Sequence, residues 1–180
     1  IIGTISILKE QKGIHVLIDG YKRLIEILKE DSVHLLIVGD GPEREKLRNM
    51  VSDYNLDDKV TFAGYQSEVY NYLNIIDIFV LPSYYEGFPI ALLESMLSGK
   101  ITIATNVNGV PELIEDNING FLFNPGDVAK LKIILHNIIT DYPRYKYISS
   151  NAKLRVEENF LMSNFINNIQ KIYIEEACKN

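Results

Sequence analysis

Short apolar runs alternate with helix-periodic stretches along this sequence, and that alternation leaves few folds open. The runs lie at residues 1–8, 33–38, 59–63, 77–81, 101–105 and 120–123, and turns marked by Gly or Pro close most of them. Parallel neighbours in a sheet need a crossover, which an intervening helix supplies with right-handed sense. Strand, helix, strand repeated in this way predicts an α/β chain, a Rossmann-like doubly wound parallel sheet with helices on both faces. The run 33–38 is apolar throughout apart from His34, as a strand covered on both faces should be. His34 and His15 read as half-buried structural residues.

In the first unit, Ile14, Leu17, Ile18, Tyr21, Leu24, Ile25 and Leu28 recur at helical spacing, giving an amphipathic helix to about Lys29. After the second run, Gly39-Asp40-Gly41-Pro42 makes a tight turn in which two glycines let backbone approach a ligand, with a helix from Glu43 to about Asp53. The fingerprint G-x-G-x-x-G is absent, so a dinucleotide site loses its main support. The third run ends in Gly64-Tyr65 and leads to a short helix over 68–75. Asn124-Pro125-Gly126-Asp127 precedes a helix over 128–140. Two more helices follow, near 143–158 and 161–177, the last with Phe165, Ile169, Ile172 and Tyr173 on one stripe. That stripe is expected to be partly exposed and to favour self-association.

The chemistry concentrates between Phe79 and Gly99, F-V-L-P-S-Y-Y-E-G-F-P-I-A-L-L-E-S-M-L-S-G. An apolar strand passes through a Pro- and Gly-marked turn into a helix predicted to begin at Pro89, because proline suits the first helical position. The N–H groups of Ile90 and Ala91 then lie at the positive end of a helix dipole, where open α/β sheets bind phosphorylated ligands. Two carboxylates sit on this frame, Glu86 in the turn and Glu94 eight residues later, about two turns into the helix. Leu92, Leu93, Met96 and Leu97 surround Glu94 in sequence, so the helix offers little polar face to solvate it. A carboxylate there is suited to accept two hydrogen bonds from a ribose or hexose diol. Spacing alone also fits an ordinary pair of surface glutamates.

The phrase P-S-x-x-E-G-F-P-x-x-x-L-E-S-M-x-S-G, followed by I-T-I-A-T-N-V-N-G-V-P-E-L-I, resembles the Glu-x7-Glu signature of the group 1 (family 4) glycosyltransferases. The likeness runs through G-T-I-S-I-L-K-E-Q-K-G, L-L-I-V-G-D-G-P, V-T-F-A-G-Y and N-G-F-L-F-N-P-G-D, and so over nearly the whole chain. It implies one half of a two-domain glycosyltransferase B fold, the C-terminal half that holds the nucleotide sugar, over residues 1–180 as a single domain. The opening strand without Met fits a domain cut from something longer. The resemblance makes Lys12, of Lys12-Gly13, a contact to the donor diphosphate; without it, Lys12 reads as a solvated loop lysine. It assigns Glu94 to the ribose and Glu86 to the hexose near its 3- and 4-hydroxyls. It makes Lys12 and Glu86 the catalytic pair and puts Gly87, Phe88 and Ile90 against the donor. Gly39 and Gly41 become the wall beside the nucleotide. Tyr65 either stacks on the base or stands as a surface tyrosine, and Glu112, in the glycine-rich turn beside the sugar, is structural.

The implied activity is transfer of a sugar, with retained configuration, from a UDP- or GDP-sugar to a glycan or lipid-linked acceptor held by an absent N-terminal domain. Many relatives carry an Arg at the position of Ile7, in an R-L-x-x-x-K-G pattern that here reads I-L-K-E-Q-K-G. Ile cannot donate a hydrogen bond, so Lys9 or another cation compensates, or the donor is held more weakly. A nucleotide-sugar-binding module without transferase activity, or a nucleotide-sugar epimerase of the same fold, are the other readings.

A net charge of −6 and the lack of a basic run argue against a nucleic-acid partner. The single cysteine, Cys178, excludes an internal disulfide and a cysteine metal site. It leaves a reducing, cytoplasmic setting as the expectation, at the inner face of a membrane for the intact enzyme as a peripheral protein. No D-x-D motif occurs, and no cofactor or catalytic metal is expected.

Overall fold

In the computed structural model, which describes residues 1–28 and 32–177, the elements follow that alternation. They are β1 (Ile2–Ile5), α1 (Ile14–Leu28), β2 (Leu35–Val38), α2 (Arg44–Asp53), β3 (Val60–Gly64), α3 (Val69–Ile75) and β4 (Ile78–Leu81). After these come α4 (Ile90–Leu97), β5 (Ile101–Thr105), α5 (Val110–Leu113), β6 (Phe121–Phe123), α6 (Val128–Thr140), α7 (Tyr142–Asn159) and α8 (Met162–Ala177). Among the described residues the six strands form one parallel sheet in the order β3-β2-β1-β4-β5-β6. Leu35 and Ile37 face a core with Leu17, Tyr21, Leu47 and Leu131, whereas Leu36 and Val38 face one with Leu73, Leu92 and Met96. Helices α1, α2 and α6 therefore cover one face and α3, α4 and α5 the other, and α7 contributes Ile148 to the first core and Ala152 and Val156 to the second. The doubly wound sheet read from the sequence is the fold.

The strand order decides where a ligand can sit. The chain leaves β1 toward β2 on one side and enters β4 on the other, so the loops after β1 and β4 part at the carboxyl edge and open a crevice there. Several element ends differ from the sequence reading. Pro89 precedes the helix instead of opening it: at ψ 99° it is extended, and its carbonyl accepts from Leu92 N (3.1 Å) and Leu93 N (3.3 Å). Likewise Glu43 precedes α2, its N–H committed to Leu8 O at 3.0 Å. Strand β1 stops at Ile5, although Ser6 N and Leu8 N still bond Val38 O and Asp40 O across to the chain beyond β2 (3.0 and 2.9 Å). Lys29 and Cys178 lie outside the described residues. The stripe on α8 is exposed as expected, with Phe165 at 60% and Tyr173 at 73%.

Candidate functional site

The loop after β1 is a single 3-10 turn, Glu10–Lys12, stopped by Gly13 in the left-handed region (φ +62°). A Cβ at Gly13 would stand 2.1 Å from Pro82 O, so only glycine lets this loop close on the loop after β4. Three further contacts hold the two loops together. Tyr84 N donates to Gln11 O at 2.8 Å, and Gln11 Nε2 donates to Tyr85 O at 3.2 Å. The ring of His15 stacks on that of Tyr84 with centroids 5.7 Å apart, and His15 Nε2 lies 3.1 Å from Tyr84 OH.

Clamping these loops brings together two residues 74 positions apart. Lys12 Nζ donates to both carboxylate oxygens of Glu86, at 2.8 and 3.0 Å. Glu86 is only 6% exposed, so its charge needs these partners. Ser83 Oγ donates to Glu86 Oε1 at 2.6 Å, and the carbonyl of Ser83 accepts from Thr105 Oγ1 at 2.5 Å. Ser83 and Thr105 are buried completely. Sequence reasoning gave neither a role; the hints were a Ser three residues before the Glu and a Thr ending an apolar strand.

Lys12 and Glu86 line a cleft of about 230 Å³ together with Ile5, Ser6, Ile7, Leu81, Phe88, Pro89, Ile90 and Ala91. It lies at the start of α4, where the N–H groups of Ile90 and Ala91 bond no described residue. Two aligned amides, the helix dipole and one ammonium make an anion site. Ile7 stands at its mouth, 56% exposed, and Lys9 is not among the lining residues, so Lys12 is the one basic side chain in the lining. A larger cleft of about 320 Å³ opens on Ile2, Val33, Asp77, Ile78, Ile139 and Tyr142 at the amino ends of the strands. No basic side chain lines it, and it lies away from the carboxyl edge where the loops after β1 and β4 part, so chemistry favours the smaller one.

Of the residues predicted from sequence, Lys12, Glu86, Phe88 and Ile90 meet in this cleft. Gly87 lies in the turn beneath, its carbonyl 2.2 Å from where a Cβ on Gly109 would be. Glu94 is one turn along α4 from Ile90 on the same face and partly buried, and its carboxylate bonds no described residue. Burial raises the pKa of its carboxyl above the usual carboxylate range. Gly39 and Gly41 serve another backbone than the ligand's: Cβ atoms there would fall 1.9 Å from Ser6 O and 2.4 Å from Leu8 O. They let the turn after β2 pack against the β1 loop, and neither is among the residues that line the cleft. Tyr65, 79% exposed past β3, neither bonds nor stacks on any described residue. His34 is half-buried with Nε2 2.8 Å from Thr61 Oγ1, and Glu112 O accepts from Arg155 Nη2 at 3.1 Å; both are structural. Among the described residues no three His, Cys, Asp or Glu side chains cluster as metal ligands.

The family model for glycosyl transferases group 1 matches residues 1–155, from β1 into α7. The chain belongs to the group 1 glycosyltransferases. It is 30% identical over 157 residues to the N-acetyl-alpha-D-glucosaminyl L-malate synthase of Bacillus anthracis, a match covering 87% of this chain and 41% of that enzyme. The Anabaena protein Alr3699/HepE, solved in complex with UDP, superposes with a TM-score of 0.89 at 27% identity, covering 97% of this chain and 48% of that one. The C-terminal domain of the group 1 glycosyltransferase LpcC from Francisella tularensis, solved on its own, gives a TM-score of 0.81 at 25% identity over 89% of this chain and 86% of that domain. The chain thus spans about two fifths of the length of the curated relatives it matches. The six-stranded sheet is one half of a glycosyltransferase B fold, as the sequence resemblance implied.

Proposed function

We propose that the chain is the donor-binding half of a retaining glycosyltransferase, moving a sugar from a nucleotide diphosphate sugar to a glycan or lipid-linked acceptor. The observation that carries this reading is the meeting of Lys12 and Glu86 beside the open amides of Ile90 and Ala91. Departure of a nucleoside diphosphate leaves negative charge on its phosphates, and a fixed ammonium with a helix N-terminus stabilises that charge without reorganising. Glu86 would hold the hexose hydroxyls beside the ring, and Glu94 the ribose diol further up α4. Tyr65, on the exposed edge past β3, would stack on the base. The Anabaena relative was also solved with UDP-glucose, which makes UDP-sugars the first donors to try. Positive charge comes from the protein itself in this reading, so donor binding needs no metal.

The crevice has one wall among the described residues. We therefore assign the acceptor side to the remaining part of a longer enzyme and expect this chain alone to bind donor without transferring sugar; proximity of acceptor to C1 accounts for about 7–11 kcal/mol of such barriers. No helix among the described residues is long and apolar enough to cross a membrane; we place the intact enzyme in the cytoplasm, against the inner face of the membrane. A binding module without transferase activity is the second reading, favoured by exposed Ile7 where many relatives carry Arg. Titration calorimetry with UDP- and GDP-sugars, with and without EDTA, tests the first reading at its base. Heat of binding that persists in chelator supports it, and loss of binding on chelation overturns the metal-free site. Sugar transfer by the full-length enzyme separates it from the second.

A further inference from the structure

We infer that Glu86 makes this site discriminate a nucleotide diphosphate sugar from the bare nucleotide diphosphate, by keeping hold of Lys12 until hexose hydroxyls take its place. The inference rests on the donor-binding reading above. Lys12 is the one basic side chain lining the cleft, and both oxygens of Glu86 occupy its ammonium, at 2.8 and 3.0 Å. Two of the three N–H donors of the ammonium are committed to Glu86, so a diphosphate that draws Lys12 through more than the remaining one loosens that grip. Ser83 Oγ supports only Oε1, at 2.6 Å, so Oε2 then loses its hydrogen-bond donor. The carboxylate is almost wholly buried and solvent reaches it poorly, so the loss is not made good by water.

A carboxylate accepts and never donates, whereas a hexose presents a row of hydroxyl donors. With the sugar attached, those hydroxyls bond Glu86 while the diphosphate takes Lys12, and every charged group keeps a partner. With the sugar gone, a bare diphosphate that takes more than the one remaining donor of Lys12 does so at the expense of Glu86. Hexose and diphosphate are then positively coupled through one ion pair, and the coupling is reciprocal. For a transferase the consequence is directional, since the donor binds well and the spent nucleotide leaves.

Glu86→Gln tests this because an amide holds Lys12 without charge and keeps an oxygen for Ser83. Calorimetry would compare UDP with UDP-glucose, UDP-galactose and UDP-N-acetylglucosamine on the parent and the variant. The parent should bind the best of these sugars about tenfold or more tighter than UDP. In Glu86→Gln, UDP should bind several-fold tighter than to the parent, and the ratio should fall toward one. Weaker UDP binding in the variant, or an unchanged ratio, would overturn the inference and leave the donor site standing. Equal affinity of the parent for UDP and all three sugars would do the same. A parent that bound none of them, nor GDP and its sugars, would overturn the donor-binding reading itself. A second measurement needs no variant: saturating free glucose, galactose or N-acetylglucosamine should tighten UDP binding to the parent, and independence or competition for all three contradicts the coupling.

Discussion

Gly13 and Glu94 show how differently single residues serve the site. Gly13 carries a left-handed φ of +62° and lies against Pro82 O, so Gly13→Ala meets both backbone strain and a carbonyl. The strain alone is of order 1–3 kcal/mol. Thermal unfolding should show at least that loss, together with weakened nucleotide binding as Lys12 and Glu86 are pushed apart; an unchanged melting temperature would mean that the loops are not clamped there. Glu94 has its carboxyl pKa raised by burial. The folded state then holds a proton more tightly than the unfolded one, so stability is full below the ordinary carboxylate pKa and declines as pH rises through the raised value. Glu94→Gln should therefore melt slightly above the parent at neutral pH and level with it in acid. The same change should weaken binding of UDP or GDP tenfold to a hundredfold, the loss of roughly 1.5–3 kcal/mol for hydrogen bonds to a charged group. A Glu94→Gln chain that bound both nucleotides like the parent would remove Glu94 from the site.

At the scale of elements, helix α1 is fixed at its middle by Tyr21, whose hydroxyl donates to Val33 O at 2.7 Å and to Lys59 O at 3.2 Å. Those carbonyls precede β2 and β3, so one side chain ties the helix to the entry of two strands. Burial foremost, and then Asp58, keeps its phenol protonated well beyond the usual range. Tyr21→Phe should cost about 1–3 kcal/mol, read in denaturant unfolding, since Val33 O loses that donor inside the core. A cost near zero would mean that water reaches the position. Elements of this kind were legible in the sequence: strand 78–81, strand 101–105 and helix 128–140 fall where periodicity and turn residues put them. The ends where tertiary bonds compete were less so. Proline fits the first helical position, so the sequence points to Pro89 as the helix start, whereas its extended ψ and twice-used carbonyl place it just before the helix. The glycines at 39 and 41 signalled a close approach correctly, but local sequence cannot say whether the approaching backbone is a ligand's neighbour or the β1 loop.

The ion pair itself belongs to the whole molecule. Lys12 and Glu86 could each be picked out from their motifs, yet their contact depends on β1 and β4 being neighbours in the sheet, which no window of local sequence encodes. The buried support from Ser83 and Thr105 escaped for the same reason, because it spans two strands. The sheet order builds the crevice, the glycine-permitted clamp closes its two loops, and α4 points its open amides into it. Backbone amide NMR on the labelled chain, titrated with UDP-glucose, UDP and the corresponding guanosine compounds, tests that arrangement most directly. The amides of Ile90 and Ala91 should shift strongly and saturably, with Gly13 and Gly87 following and Tyr65 responding to the base. Residues around Ile2, Ile78 and Ile139 at the opposite edge of the sheet should stay still. Saturable shifts confined to that opposite edge, with Ile90 and Ala91 unmoved, would contradict the placement of the donor site.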